Sequence, residues 1–191
     1  MPLCVPQLRT ITLGGAVTGL GIESASFRNG TPHESVLEMD ILTGTGDVIT
    51  VSSHENDPHR DLFFTFPNSY GSLGYALRLK IELEPTKPFV HISHLRFDSA
   101  AALTVAMKDL SASAMFNESP VHFLDGTVFS PTEHYLTVGT MVAAVPVGRS
   151  TSDYTGMSIY YRSIQSLTAD HPTIHDYLCP SDTGWDWQSL L

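Results

Sequence analysis

Between Ser35 and Leu42 the chain reads SVLEMDIL, with Leu37, Met39 and Ile41 on one side and Glu38 and Asp40 on the other. A period of two marks a strand with one buried face. The turn-forming TGTGD at 43–47 follows, and Val48 to Val51 completes a predicted β-hairpin. A second alternating run covers Ala76 to Leu83, where Leu77, Leu79, Ile81 and Leu83 interleave with Arg78, Lys80, Glu82 and Glu84. Its polar side is expected to meet water. Asp61 is placed to cap a short helix through DLFFTF, which Pro67 stops. Arg9 to Leu13 is a short extended run leading into GGAVTGLGIESASFRNG, where five of seventeen residues are glycine.

Pro85 and Pro88 mark a joint. Beyond it FVHISHLRF reads as a strand, and Ser99 caps a helix through about Ala114, with apolar residues at helical spacing. VHFLDGTVF (121–129) and YLTVGTMVAAV (135–145) predict two further strands separated by SPTEH. Strand, helix, strand, strand is the start of a second α+β unit. From Gly148 to Leu191 the pattern is irregular and rich in aromatics: Tyr154, Tyr160, Tyr161, Tyr177, Trp185 and Trp187.

Composition narrows the function. With 191 residues, 42% apolar and 16% charged, the chain can build one sizeable core or two small ones. Net charge is −10, and the ten lysines and arginines form no cluster. That argues against nucleic acid or an anionic membrane surface as a partner. An anionic ligand would have to rely on backbone N–H groups. Cys4 and Cys179 form no C-x-x-C pair, there is no run of eighteen apolar residues, and MPLCVPQLRT lacks the basic and apolar regions of a signal peptide. A reducing, cytoplasmic location is the expectation.

Motifs for familiar chemistry are missing. G-x-G-x-x-G would need glycine where Ser24 stands, and neither a P-loop lysine nor G-x-S-x-G occurs. His91 and His94 should point to opposite faces of their strand, while His171 and His175 have helical spacing but no further ligand nearby. No metal site is expected. Glu38 and Asp40 share a strand face and read as solvated charges rather than an acid–base pair. Glu23 is the single carboxylate within the glycine stretch. The stretch itself supports two readings. It can be a structural turn, or Gly14, Gly15, Gly19 and Gly21 can take positive φ and form a backbone nest for a diphosphate.

Three segments in order carry a resemblance: TLGGAVTGLGIESASFRNG, then HESVLEMDILTGTGDVITVS, then DLFFTFPNSYGSLGYALRLKIELEPTKPFV. Together they resemble the second half of the FAD-binding domain of vanillyl-alcohol-oxidase (PCMH-type) flavoproteins, nearest to delta-24-sterol-reductase (diminuto)-like members with their T-x-G-G-x-x-x-G-x-G-I-E-S core. HFLDGTVFSPTEHYLTVGTM and SIYYRS continue the likeness. The resemblance implies an α+β fold in which residues 1–88 are the C-terminal half of an FAD-binding domain, mostly antiparallel sheet with flanking helices. Residues 89–191 would be the beginning of a substrate (cap) domain. It implies FAD as cofactor, contacted by Thr12, Leu13, Gly14, Gly15, Gly19, Leu20, Gly21, Ile22, Glu23, Ser24 and Ala76, and hydride transfer to or from an organic substrate. It identifies no catalytic residue. NAD(P)H as electron donor and a separate chain carrying the first FAD subdomain are the further partners it suggests. A cofactor-incompetent piece of a flavoenzyme is the competing expectation.

Overall fold

A computed structural model describes residues 1–7, 10–154 and 160–178. The chain divides into two compact units, the first holding Met1–Pro6 and Thr10–Pro85, the second running from Thr86. The architecture is α+β with antiparallel sheets.

The first unit is built on the expected hairpin. β1 (Val36–Leu42) and β2 (Val48–Ser52) pair in antiparallel register, with Gly46 at φ 88° in the turn. β3 (Tyr75–Ile81) pairs on the other side of β1, giving the order β2-β1-β3. One face of this sheet holds the core: Val36, Met39, Ile41 and Val51 pack with Val17, Phe63 and Phe66. Phe63 comes from the short helix that follows β2, Phe66 from its C-cap, and Val17 from the glycine stretch.

Three local expectations are corrected. The short helix is Arg60–Thr65 with His59 at its cap, so Asp61 lies in the first turn. The preceding turn is fixed one step earlier, where the Asp57 carboxylate accepts from the His59 N–H at 2.8 Å. In β3 the register slips opposite Asp40 and Ile41, so Ala76, Leu79 and Ile81 face the core while Leu77 stands exposed. The slip breaks the simple alternation predicted for 76–83. The third correction concerns the glycines: Leu13 to Thr18 is helical, not extended or looped. We number this helix α1, the four-residue Ser26–Asn29 helix α2, and the Arg60–Thr65 helix α3.

Glu38 and Asp40 are the charged, outward face of β1, and Arg78 of β3 clasps both, at 2.7 Å and 2.6 Å. The Arg78 guanidinium and then the Thr50 hydroxyl hold the Asp40 carboxyl below its ordinary range. A structural ion clasp, not an acid–base pair, explains the two carboxylates.

In the second unit, β4 (Phe89–Phe97) leads into α4 (Ala100–Ser113), capped by Ser99 as predicted. A two-residue hairpin, β5 (Met115–Phe116) and β6 (Ser119–Pro120), precedes β7 (Phe123–Ser130) and β8 (Glu133–Val142). The segment expected to be irregular contains α5 (Tyr160–Ser166), β9 (Ala169–Asp170) and α6 (Ile174–Leu178). Trp185 and Trp187 lie outside the described residues. The sheet order is β7-β8-β4-β9, and β8 is buried at every position from His134 to Gly139. Met107 and Leu103 of α4 approach Gly126 on one face. On the other, Tyr177 of α6 stacks against Phe123 at 4.7 Å.

Gly74 is where the first sheet has least freedom. Its φ is 134°, and a Cβ there would collide with the Leu42 carbonyl. Gly74→Ala is expected to cost about 2–4 kcal/mol, combining left-handed strain with that clash. Gly44→Ala, in the open hairpin turn with nothing within 4 Å, should stay within about 0.5 kcal/mol. Urea unfolding of the two variants checks the contrast, and equal stabilities would contradict it.

Candidate functional site

The glycine stretch folds as a short helix between two caps. Thr12 is the N-cap, its hydroxyl accepting from the Gly15 N–H at 3.0 Å and its carbonyl from the Ala16 N–H at 3.0 Å. Helix formation here is driven by burial: Ala16 and Val17 face the core, and Val17 is fully enclosed. At the far end the Gly19 N–H reaches the Gly15 carbonyl at 2.9 Å and the Gly21 N–H reaches the Ala16 carbonyl at 3.1 Å. The second bond, with Leu20 at φ 51°, is the pattern of a Schellman C-cap.

This corrects the expected nest. None of Gly14, Gly15, Gly19 and Gly21 has a positive φ, and the left-handed position falls to Leu20. The N–H groups of Gly15, Ala16, Gly19 and Gly21 are already bonded within the helix and its caps. What the helix leaves without an internal acceptor is the start of its first turn, the N–H groups of Leu13 and Gly14.

The eleven expected contact residues therefore divide. Thr12, Leu13, Gly14 and Gly15 form the first turn of α1, and Ala76 of β3 lies beside it. A Cβ on Gly14 would sit 3.6 Å from both the Ala76 Cβ and its carbonyl oxygen. Two segments sixty residues apart in sequence thus meet at one place. Gly15 is exposed, and a Cβ there would find only the Thr12 hydroxyl, at 3.2 Å. Gly19, Leu20 and Gly21 stand one helix length away, about 9 Å at 1.5 Å per residue. They shape the C-cap and pack toward Pro32, 3.5 Å from a Cβ on Gly21. Ile22, 78% exposed, leads to Glu23 and Ser24. The Glu23 backbone closes the turn before α2, its N–H donating to the Ser26 hydroxyl at 3.0 Å and its carbonyl accepting from the Ser26 N–H at 2.8 Å.

The loop before β3 is tied to the same helix, with the Tyr70 N–H donating to the Thr18 carbonyl at 3.2 Å. Arg28 of α2 grips Glu84 with two bonds of 2.9 Å, and Asn29 reaches Glu84 and the Leu3 carbonyl. Among the described residues, Arg28 and Arg78 are thereby committed to carboxylates. A glycine-faced helix start, bare of side chains beyond Thr12 and Leu13, fits a ligand that approaches the main chain closely.

In the second unit the histidines separate as expected. His94 points with Val90 and Ile92 into the buried face, and His91 points to the other, its Nδ1 2.8 Å from Nε2 of His171. His171 is buried at the end of β9 while His175 is exposed on α6, so their helical spacing is not realised. Among the described residues no group of three or more metal-ligating side chains comes together.

One carboxylate went unnoticed in the sequence. Asp125 of β7 lies on the same sheet face as Phe123 and His94, and loss of solvent pushes its carboxyl up to about 6. Burial, then the Asp125 charge, pushes the Tyr160 phenol up as well. Burial holds His94 below its ordinary range, opposed by Asp170. The readable signal was parity: in VHFLDGTVF the acid shares the inward register of Phe123.

Comparison with known proteins shows what the chain is similar to. The chain matches Delta(24)-sterol reductase of Homo sapiens at 28% identity over 137 residues, 72% of this chain and 25% of the relative. It matches cytokinin dehydrogenase 3 of Arabidopsis thaliana at 31% over 142 residues, 69% and 26%, and cytokinin dehydrogenase 7 of Oryza sativa subsp. japonica at 33% over 118 residues, 62% and 22%. The chain is a homologue of the FAD-binding PCMH-type flavoproteins. It spans about a quarter of the length of these PCMH-type relatives. No protein-family profile matches it. Among the described residues no helix is long and apolar enough to cross a membrane.

The raised Asp125 carboxyl predicts a pH-dependent stability. Its folded value lies above the ordinary 3.8, so the neutral form stabilises the fold at low pH and that stability is lost as pH rises through about 6. Asp125→Asn should therefore exceed the wild type at pH 8 by up to about 2–3 kcal/mol and match it near pH 4. Urea unfolding at both pH values checks this. A gap independent of pH would contradict it.

Proposed function

We propose that this chain is part of an FAD-dependent oxidoreductase that moves a hydride between flavin and an organic substrate. In this reading residues 1–88 are the second half of the FAD-binding domain and residues 89–191 begin the substrate domain. The observation that carries it is the meeting of the Thr12–Gly15 turn with Ala76. These are two of the segments on which the family likeness rests, and the Gly14 contact closes them into one surface.

Thr12, Leu13, Gly14, Gly15 and Ala76 are the proposed main-chain wall for the cofactor, with Ile22, Glu23 and Ser24 continuing it. Gly19, Leu20 and Gly21 act by ending the helix so that this continuation leaves at a fixed angle. When bound, the flavin supplies the hydride donor or acceptor. The chain's own part is to hold the cofactor by backbone N–H groups, since Arg28 and Arg78 are engaged with Glu84, Glu38 and Asp40.

Relatives named for sterol reduction and for cytokinin dehydrogenation leave two substrate classes. Reduction of a C=C bond in a sterol-like lipid, with NAD(P)H as donor, is the reading favoured by the T-x-G-G-x-x-x-G-x-G-I-E-S core. Oxidation of an organic substrate such as an alcohol is the alternative. Because the chain spans a quarter of its relatives, the rest of the flavin site is proposed to come from further polypeptide, in the same or a separate chain.

Gly15→Val is the discriminating variant, because a Cβ there meets only the Thr12 hydroxyl, at 3.2 Å, while the side chain covers the proposed wall. In the full-length flavoprotein it should lower FAD content at least tenfold, read as flavin absorbance per protein, with thermal unfolding of the apoprotein little changed. Unaltered FAD content would refute the assignment.

A further inference from the structure

The segment from Thr168 to Ile174 lies along β4 as a strap that two prolines weaken. Ile92 is opposite Asp170 and Phe89 opposite Thr173, so one register runs through and sets Val90 against Pro172 and His91 against His171. The Val90 N–H donates to the Pro172 carbonyl at 3.0 Å, the His94 N–H to the Thr168 carbonyl at 3.0 Å, and the Ile174 N–H to the Pro88 carbonyl at 2.9 Å. Proline has no N–H, so Pro172 and Pro88 cannot return the bonds they receive. Side chains between such bonded positions approach each other most closely. His91 and His171 occupy that place, with His91 Nδ1 2.8 Å from His171 Nε2 and ring centroids 4.7 Å apart. His171 is buried and His91 half-buried. The strap carries more than itself. Pro172 bridges to Ser152, whose N–H donates to the His171 carbonyl at 3.3 Å, and α6 follows directly, its Tyr177 stacked on Phe123 of the opposite sheet face.

Two imidazoles joined nitrogen to nitrogen need one N–H and one bare lone pair in the gap. The neutral pair has both. One added proton still leaves a bare nitrogen. A second leaves two N–H groups aimed at each other and two like charges on opposed strands. The surroundings offer little to offset that. Burial, then the His91 ring, hold the His171 imidazole below its ordinary 6.5, with Asp170 opposing and Arg149 adding to the effect. Asp170 is already engaged by the Ser152 and Tyr154 hydroxyls and the His171 N–H. Asp153 is the other charged residue of the 149–154 segment. On β8, Thr140 stands opposite His91 and donates to the Pro120 carbonyl, while His122 Nδ1 accepts from the Met141 N–H. Lys108 and Asp109 of α4 are exposed, as is His175 of α6, and Asp176 accepts from the Thr173 hydroxyl. A folded value below 6.5 means the pair's contribution is complete above that pH and is lost as pH falls through the folded value.

We propose that His91 and His171 form a proton-sensitive latch: while a bare nitrogen remains between them the 168–174 strap stays on β4, and when both rings are charged the strap lets go. Release frees α6 behind it and uncovers the sheet face that Tyr177 shares with Phe123. The latch is independent of the functional reading above and is testable without cofactor or substrate.

Hydrogen exchange of the ¹⁵N-labelled 191-residue chain, followed by NMR from pH 7.5 down to pH 5 and corrected for intrinsic exchange rates, tests it. Protection of the Val90, His94, Ile174 and Ser152 amides should fall together by about tenfold or more as pH drops, while the amides of the central strand β8 keep theirs. Histidine ring shifts recorded in the same series should show both His91 and His171 charged where protection is lost. His171→Gln and His91→Gln each leave a side chain that does not titrate, and either should make strap protection independent of pH. The second keeps the question open if the first, at the buried position, fails to fold. Constant protection in the wild type, a loss spread equally over β8, or a pH dependence that survives both substitutions would overturn the latch.

Discussion

The close approach of α1 to β3 is the constraint on which the first unit depends. Gly14 lies against Ala76 because neither contributes more than a methyl group to the contact, and Val17 on the same helix is drawn into the sheet's core. A short helix has little stability of its own, so it forms here because tertiary burial supports it. That placement brings the helix start beside β3 and leaves the turn's glycine surface open. Gly74, forced to its left-handed conformation against the Leu42 carbonyl, fixes where β3 begins and hence where Ala76 sits.

Charge reinforces this division of labour. The protein is strongly acidic, and among the described residues Arg28 is engaged with Glu84 and Arg78 with Glu38 and Asp40. The second unit uses its polar groups differently. It places Asp125, Thr137, His94 and Asp170 on one sheet face, where loss of solvent raises the Asp125 carboxyl and lowers the His94 imidazole.

Much of the fold was legible in the sequence because its signals are local. The 36–52 hairpin followed from alternation and a glycine turn, and α4 from Ser99 and helical spacing. The failures were tertiary. Alternation in 76–83 misjudged Leu77 because a register slip against β1 is invisible in one strand. Glycine density in 14–21 suggested positive φ, whereas burial of Val17 wound the segment into a helix and passed the left-handed position to Leu20. The joining of Gly14 to Ala76 was foreshadowed by family likeness alone, since nothing in spacing links residues so far apart. Asp125 was missed because a single acid in a strand is usually solvated, and its inward parity was the clue.

The central claim is that the Thr12–Gly15 turn and Ala76 form one cofactor-facing surface. Titrating the ¹⁵N-labelled protein with FAD while following backbone amide resonances tests it directly. The account predicts saturable shifts concentrated at Leu13, Gly14, Gly15 and Ala76, with the second sheet unmoved. Saturable FAD binding that shifts other residues and leaves these four in place would contradict it.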